Sequence, residues 1–405
     1  MKSPRFVSRC LLFAALLLPL IMTSSLSAAG VRLRSIGSDP ASGAAHAVVV
    51  EEGALVHTAM MFPEDSTGRL QGEGDAQAQA IRALANIESA LRVARTDLDS
   101  LVRLHIYVAD ASVTPLIDRL LRQRLRGKTA PALTVVETEM PRPRVLVSMD
   151  AIAATSWRPD PGPPVRLAVG ALPRRTERAS HVAIQPEGPF VIVSGRSASG
   201  DFEAAVPETM AQLRADLEGV GLTFDDVVQV KSFLGDMSQT ERLEQMLADF
   251  FEGERVPPQV VTEWRQDSAR VEIELIATTA RPGNSGERVE YVEPVSARFS
   301  RVARVNDGHP VFTSGLYGTS KDPVDQVREM FAKLQSLMKE AGSDMRHLVK
   351  ATYYVSDSSA DEEINAIRPT LYDPQRPPAA SKLSVRGTGR NGKGSTLDMI
   401  AVTVK

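Results

Sequence analysis

One sequence pattern occurs three times along this chain of 405 residues, and it restricts the fold more than any other feature. In each copy, polar or acidic residues lead into an alternating apolar strand, which stops at Asp110, Asp236 or Asp357. Copies spaced about 120 residues apart are whole domains, because solenoid modules are much shorter.

Each repeat predicts two helices and a mixed sheet. Apolar residues recur at helical spacing before each strand, as Ile81, Leu84 and Ile87 do in the first repeat. A second helix is expected at about 112–126, 238–252 and 359–372. An opening hairpin, a proline-rich turn and a closing strand complete the pattern. These elements predict an α+β domain in which two helices pack on one face of a mixed sheet.

The first 29 residues have the layout of a secretory signal peptide. A short basic start is followed by an apolar run from Cys10 to Met22, and small residues continue to a cleavage point after Ala29. The run is short for a bilayer span, although an uncleaved anchor is the alternative. We expect a secreted or periplasmic protein with no membrane attachment after cleavage. The predicted segments are a signal peptide at 1–29 and domains at 30–157, 165–280 and 288–405.

Composition argues against several kinds of site. Cys10 is the only cysteine, so the cleaved chain has no thiol for disulfides, catalysis or metal binding. The six histidines form no His-x-His or His-Glu-x-x-His pattern, and we expect neither a metal nor a cofactor. A net charge of −3 and an aromatic content of 5% argue against a nucleic-acid partner.

Taken together, these features resemble the RidA/YjgF family of 2-imino acid deaminases, which are also described as L-PSP endoribonuclease-like. The resemblance is carried by Ser-Gly strand ends at 194–195 and 314–315, by the strand ending in Asp, by Pro-Ala turns and by a last strand of Glu-Ile-Glu type. It implies three tandem YjgF-like (chorismate-mutase-like) domains. Family members are homotrimers with clefts between subunits, so three fused copies imply a monomeric, intramolecular pseudotrimer.

The resemblance also implies a reaction, the hydrolysis of an enamine or imine derived from an amino acid. In the family, an arginine after the Pro-Ala turn holds the substrate carboxylate, and a carboxylate in the last strand positions water. Here Leu133, Gln259 and Ala380 occupy the three arginine positions. No repeat therefore has the complete set, and activity as an enzyme stays open.

Candidate residues come from the second and third repeats. As catalytic groups we consider Lys382, whose charge could replace the arginine, Asp398 on the same face of the sheet, and Glu272. Candidate contacts for a small carboxylated metabolite are Ser314, Gly315, Asn365, Ser194, Gly195 and Gln259. The ordinary alternatives are a solvated strand residue for Glu272 and an exposed charged pair for Lys382 and Asp398.

Two functions follow from these residues. The first is imine or enamine hydrolysis at a divergent site, and the alternative is a non-catalytic protein that binds a small ligand or a partner on the same fold. Ribonuclease activity is a third, weaker hypothesis because of the acidic charge and the scarce aromatics. The glycine-rich loop 387–392 reads as a solvated hairpin, and Arg142 and Arg175 read as surface charge.

Overall fold

The computed structural model describes Met1 and residues 30–125, 130–251, 253, 255–266 and 270–404. The predicted signal peptide, apart from Met1, lies outside the described residues. Within these ranges, no helix is long and apolar enough to cross a membrane.

Every repeat has the same order of elements, which confirms the α+β prediction. Repeat 1 contains β1 (Arg32–Ile36), β2 (Ala47–Glu52), β3 (Ala54–Thr58), α1 (Ala76–Val93), β4 (Leu101–Val108), α2 (Thr114–Arg124), β5 (Ala132–Glu137) and β6 (Val147–Thr155). Repeat 2 contains β7 (Val165–Leu167), β8 (Val182–Gln185), β9 (Phe190–Arg196), α3 (Phe202–Gly219), β10 (Val227–Leu234), α4 (Thr240–Phe250), β11 (Gln259–Glu263) and β12 (Val271–Thr278). Repeat 3 contains β13 (Val289–Ser296), β14 (Phe299–Val305), β15 (Pro310–Thr313), α5 (Pro323–Ala341), β16 (Leu348–Val355), α6 (Ser358–Leu371), β17 (Ala379–Ser384) and β18 (Ser395–Val402).

The repeated aspartates have a local structural role. Asp110 and Asp236 accept hydrogen bonds from the backbone N–H groups of Ser112 and Ser238, at 2.7 and 3.0 Å. Asp357 does the same for Ala360, at 3.0 Å. Each aspartate therefore caps the helical turn that follows its strand, a contribution of about 1 kcal/mol.

Three strands precede the first long helix of each repeat; the first two pair antiparallel, but the second and third do not pair with each other as the predicted hairpin requires. Instead, β2 pairs with β15 of repeat 3, β8 pairs with β3 of repeat 1, and β14 pairs with β9 of repeat 2. The earlier strand of each pair thus extends the sheet of a neighbouring repeat. Because alternation reports only which face of a strand is buried, it cannot distinguish these partners from the adjacent strand. The three repeats consequently contact one another pairwise.

The core has an outer and an inner part. In each repeat the two helices cover one face of the sheet around their own apolar cluster, which in repeat 1 includes Leu84, Ile87 and Leu104. The inner faces meet in clusters drawn from all three repeats, with Tyr107, Phe233 and Tyr354 in one layer. This arrangement places the edges of neighbouring sheets side by side and creates the junctions where the candidate residues lie.

Candidate functional site

The Ser-Gly strand ends connect neighbouring repeats. Ser194 donates its hydroxyl to the carbonyl oxygen of Ser300 at 2.6 Å and accepts the backbone N–H of Ala380 at 2.9 Å. Ser314 repeats this arrangement with Ala45 and Leu133, at 2.6 and 2.8 Å. Both hydroxyls are buried, so their contacts hold one repeat against the next.

Three clefts follow from these junctions, and each combines residues of two repeats. The first cleft lies between repeats 1 and 2, where the Met60 N–H donates to the Gln259 carbonyl oxygen at 2.9 Å. The second lies between repeats 2 and 3, beside Ser194. The third lies between repeats 3 and 1, beside Ser314. A candidate site cannot therefore be built within one repeat, and the candidate residues divide among the three clefts and the molecular centre.

The second cleft contains most of the candidate residues. Repeat 2 contributes Ser194, Gly195 and Glu272, while Asn365 and Lys382 belong to repeat 3, on α6 and β17. The Ser194 contact with Ala380 ties the two groups together. The sequence alone did not assign these five residues to a single junction.

Glu272 is the most chemically distinctive residue of the second cleft. Its Oε1 atom is buried and has no hydrogen-bond partner among the described residues. Burial raises the pKa of Glu272 to about 7, with repulsion from Glu274 adding to the effect and Ser381 and Lys350 opposing it. A Cβ atom at Gly195 would collide with this carboxyl group, so only glycine leaves room for it. The group can therefore accept or donate a proton near neutral pH.

Lys382 is already engaged by repeat 3. Its Nζ atom contacts Asp361 Oδ1 at 2.5 Å and Asn365 Oδ1 at 3.2 Å. Burial lowers the pKa of Lys382, although Asp361 opposes the effect. The Asn365 side chain also accepts a hydrogen bond from Arg368, at 2.7 Å. Before Lys382 could hold a substrate carboxylate, it would have to leave Asp361.

The predicted pair of Lys382 and Asp398 is wrong. In the strand register, Lys382 lies opposite Tyr353 and Asp398 lies opposite Thr352. Neighbouring residues of a strand point to opposite faces of the sheet, so Lys382 projects toward α6 and Asp398 toward the molecular centre. Asp398 is 1% exposed and therefore does not line the second cleft with Lys382.

Asp398 belongs to a buried charged layer at the centre of the molecule. It contacts Arg103 Nη1 at 3.3 Å and His105 Nε2 at 3.1 Å, while His105 Nδ1 contacts Asp150 at 3.1 Å. A further pair joins Lys350 and Glu274 at 2.5 Å. Burial raises the pKa of Asp398, but Arg103 and His105 outweigh it, so the pKa lies below its ordinary value. These contacts pair the charges with one another and indicate a structural role, although Arg103 Nε has no hydrogen-bond partner among the described residues.

The third cleft is occupied by the glycine-rich loop 387–392, for which the sequence predicted a solvated hairpin. The loop is not a solvated hairpin, because Arg390 forms a two-pronged pair with the buried Asp118 of repeat 1. A Cβ atom at Gly389 would meet Val135 at 2.5 Å. Gly315 N–H donates to the Leu133 carbonyl oxygen at 2.9 Å. Ser314 and Gly315 therefore lie in a closed junction, with the apolar residues Leu133 and Val135 beside them.

The first cleft holds Gln259 and a cavity of about 70 Å³. Arg175 and Glu64 line it as an ion pair. Arg142 is not free surface charge either, since it contacts Glu244, a cavity-lining residue of α4, at 3.3 Å. Arg142 and Arg175 are far from this helix in the sequence, so only the fold reveals their position.

Sequence reasoning also missed Arg301, which lies on the strand that joins repeat 3 to repeat 2. It follows Ser300, the acceptor of the Ser194 hydroxyl, and its buried Nε atom has no hydrogen-bond partner in the described part of the chain. The guanidinium carbon lies 5.6 Å from the centre of the Phe299 ring. The available signal was a charged residue within a strand that also contains Ser300 and Arg304. Among the described residues, no group of three or more His, Cys, Asp or Glu side chains is placed to hold a metal ion.

Comparison with known proteins agrees with the repeat pattern. A family model described as Endoribonuclease L-PSP matches residues 37–155, 173–279 and 292–393. A RutC family protein of Pyrococcus horikoshii is 28% identical over 101 residues, which cover 24% of this chain and 75% of that protein.

Solved structures that are similar to the chain each correspond to about one repeat. The Rid family protein YyfB of Yersinia pestis is 26% identical and covers 30% of this chain and 98% of its own, with a TM-score of 0.27. A YjgF family protein of Neisseria meningitidis is 22% identical and covers 29% and 96%, with a TM-score of 0.23. On the threefold family match, the chain belongs to the L-PSP endoribonuclease family, which includes the RidA/YjgF proteins, and carries three tandem copies of its domain.

Proposed function

We propose that the second cleft hydrolyses small carboxylated imines, with Glu272 as the acid and base. The observation that carries the proposal is the state of this carboxyl group: Oε1 is buried and has no partner within the described ranges, and the pKa is raised to about 7. A structural glutamate would normally be paired or solvated. A buried carboxyl group with one unpaired oxygen, beside a strand-end glycine, is suited to contact a reacting molecule.

The reaction requires two proton transfers at one nitrogen. Glu272 takes a proton from water as the water oxygen bonds to the C=N carbon, and the resulting carboxylic acid passes that proton to nitrogen. The product is a tetrahedral carbinolamine. Glu272 then removes its hydroxyl proton and returns it to nitrogen, so that the C–N bond breaks, ammonia leaves and a ketoacid remains. A pKa near 7 suits transfer in both directions at neutral pH.

The substrate carboxylate needs a cation that replaces the family arginine. Lys382 is paired with Asp361, whereas the buried Nε of Arg301 has no partner in the part of the chain that the structure describes. Arg301 is therefore the better candidate for holding the carboxylate, and its planar guanidinium offers the two-pronged geometry that Lys382 lacks. Lys382 adds positive charge to the same junction.

The proposal is tested by ketoacid release from freshly generated imino acids. The purified protein is expected to exceed the rate in buffer, and Glu272→Gln is expected to lower that rate by about 100-fold or more. Glu208→Gln is the matched control, because Glu208 is an exposed carboxylate on α3 of the same repeat. Equal rates with and without folded protein would refute the proposal.

A second candidate function is binding without chemistry. It is favoured by the ion pair that engages Lys382 and by the loss of the family arginine at Leu133, Gln259 and Ala380. Saturable binding of a small carboxylate, with no turnover of its imine, would support this alternative. RNA cleavage, which the family description names, is not proposed, because the chain has a net charge of −3.

We further propose that the protein acts outside the cytoplasm and as a single chain. The basic and apolar start of the sequence supports export. The pairwise strand contacts among repeats support an internal equivalent of a three-subunit assembly. A solution mass near 43.8 kDa or, after signal cleavage, slightly less is the expected result.

A further inference from the structure

The cavity of the first cleft contains buried hydrogen-bonding atoms without partners. Gln259 Oε1, Ser180 Oγ and Thr176 Oγ1 belong to residues that line it, and none of these atoms has a partner among the described residues. Buried polar atoms are nearly always paired in folded proteins. Three such atoms around one cavity therefore indicate a place for a polar guest. The volume of about 70 Å³ accommodates several water-sized groups, each of which needs about 10–15 Å³.

The charges around this cavity favour a cation. Glu64, Glu244 and Arg175 line it, while Arg142 lies outside the lining and contacts Glu244 and the exposed Glu241. Two carboxylates and one guanidinium group thus line the cavity itself, and the charge of its lining is negative. Such a balance attracts a cation and repels a carboxylate.

The Glu244 carboxylate can accept further hydrogen bonds. Its two oxygens lie 3.4 and 3.3 Å from Arg142 Nη2, which are long contacts for a charged pair. Burial raises the pKa of Glu244, although Arg142 and Arg175 oppose the effect. An added N–H donor would stabilise the ionised carboxylate. Gln259 Oε1 supplies a second acceptor, and Met60 and Phe62 supply apolar wall.

We propose that the cavity of the first cleft binds a small protonated amine, whose N–H groups are accepted by Glu244 and by Gln259 Oε1. The Ser180 hydroxyl supplies a third contact, and a short hydrocarbon part lies against Met60 and Phe62. This site is separate from the second cleft and has the opposite charge preference. The third cleft, closed by Arg390, offers no equivalent within the described residues.

The test compares propylammonium with propionate, two probes of similar size and opposite charge, by calorimetric titration of the full-length protein. Propylammonium is expected to bind saturably and propionate is not. Glu244→Gln is expected to weaken amine binding by about tenfold or more, since a hydrogen bond to a charged group is lost. Glu241→Gln is the matched control, because Glu241 lies on the same helix, contacts Arg142 and has a side chain that is 74% exposed.

A second variant keeps the test independent of any damage to the fold. Gln259→Arg adds a guanidinium to the cavity and is expected to abolish amine binding and to permit propionate binding. Wild-type protein that binds propionate as tightly as propylammonium, or that binds neither, would overturn the proposal. So would equal weakening by Glu241→Gln and Glu244→Gln. Glu272→Gln should leave amine binding unchanged, which separates this site from the proposed catalysis.

Discussion

Replacing Glu272 with glutamine should make the protein more stable and less active. Raising the pKa from 4.5 to about 7 costs the ionised carboxylate about 3 kcal/mol, since a tenfold change in proton affinity corresponds to about 1.4 kcal/mol. The amide introduced by this substitution has the shape of the carboxylic acid and never ionises. At pH 8 the variant should therefore recover much of this free energy of unfolding.

The sign of the effect follows from proton binding. Because the pKa is higher in the folded protein, the folded state binds more protons between about pH 4.5 and 7, and stability falls as the pH rises through that range. The advantage of Glu272→Gln should be small at pH 4.5, grow through this window and be complete above pH 7. Substitutions that remove a buried charge from an active site often raise stability while they abolish activity. Substitutions that remove a buried charge with only a structural role rarely raise stability.

The assay is thermal and urea unfolding of both proteins at pH 4.5 and at pH 8. Glu208→Gln, at an exposed position, is the control for a general change in charge. If Glu272→Gln has the same stability relative to the wild-type protein at pH 4.5 and at pH 8, Glu272 is a solvated strand residue. If the variant is less stable than the wild-type protein at pH 8, the carboxylate makes a favourable structural contact. Either result would refute the reasoning from burial.

Three further predictions concern Arg301, the buried charged layer and the third cleft. Arg301→Met should raise KM for a carboxylated imine by about tenfold, with a smaller change in kcat, because a charge-assisted contact to the substrate is lost; steady-state kinetics would show it, and an unchanged KM would exclude Arg301. Asp398→Asn should lower the free energy of unfolding at pH 7 by about 3–5 kcal/mol, because it leaves Arg103 as a buried charge without its partner. This loss should shrink on acidification, since the stabilisation from a lowered aspartate pKa is complete above the unfolded value near 4 and is lost progressively as the pH falls below it; denaturation at pH 3 and pH 7 would test it, and a loss that did not depend on pH would contradict the assignment. Arg390→Met should lower the unfolding midpoint, and Asp118→Asn should restore part of the loss in the double variant; strictly additive losses would show that the two side chains are not coupled.

The repeat pattern was sufficient to predict the fold of each domain. Alternation identified β4, β10 and β16, and apolar residues at helical spacing identified the helices, because these periodicities report local burial directly. The sequence did not reveal that β2, β8 and β14 join the sheets of neighbouring repeats. Which strands pair depends on which sheet edges are available and on how the chain connects the strands. The alternation of apolar residues reports neither.

The candidate site was predicted in part. Glu272, Gly195 and Ser194 were identified by the resemblance, and the fold places them beside repeat 3. Lys382 and Asp398 were paired wrongly, because alternation was counted along each strand separately. The register that relates β17 to β18 through β16 places the two side chains on opposite faces.

The arginines at the junctions could not be interpreted from sequence. Arg142, Arg175, Arg301 and Arg390 all contact or approach a different repeat from the one that carries them, or a segment far away in the chain. A single charged residue in a sequence is most often solvated, so their burial at junctions becomes visible only when the repeats are assembled.

The central claim is that Glu272 transfers protons in the second cleft, and the pH dependence of the initial rate of ketoacid release tests it most directly. Below saturation, the rate of the wild-type protein should rise with pH through a limb centred near 7, and this limb should disappear in Glu272→Gln and persist in Glu208→Gln. A wild-type profile that is flat between pH 5 and 9, or a limb that survives in Glu272→Gln, would contradict the account.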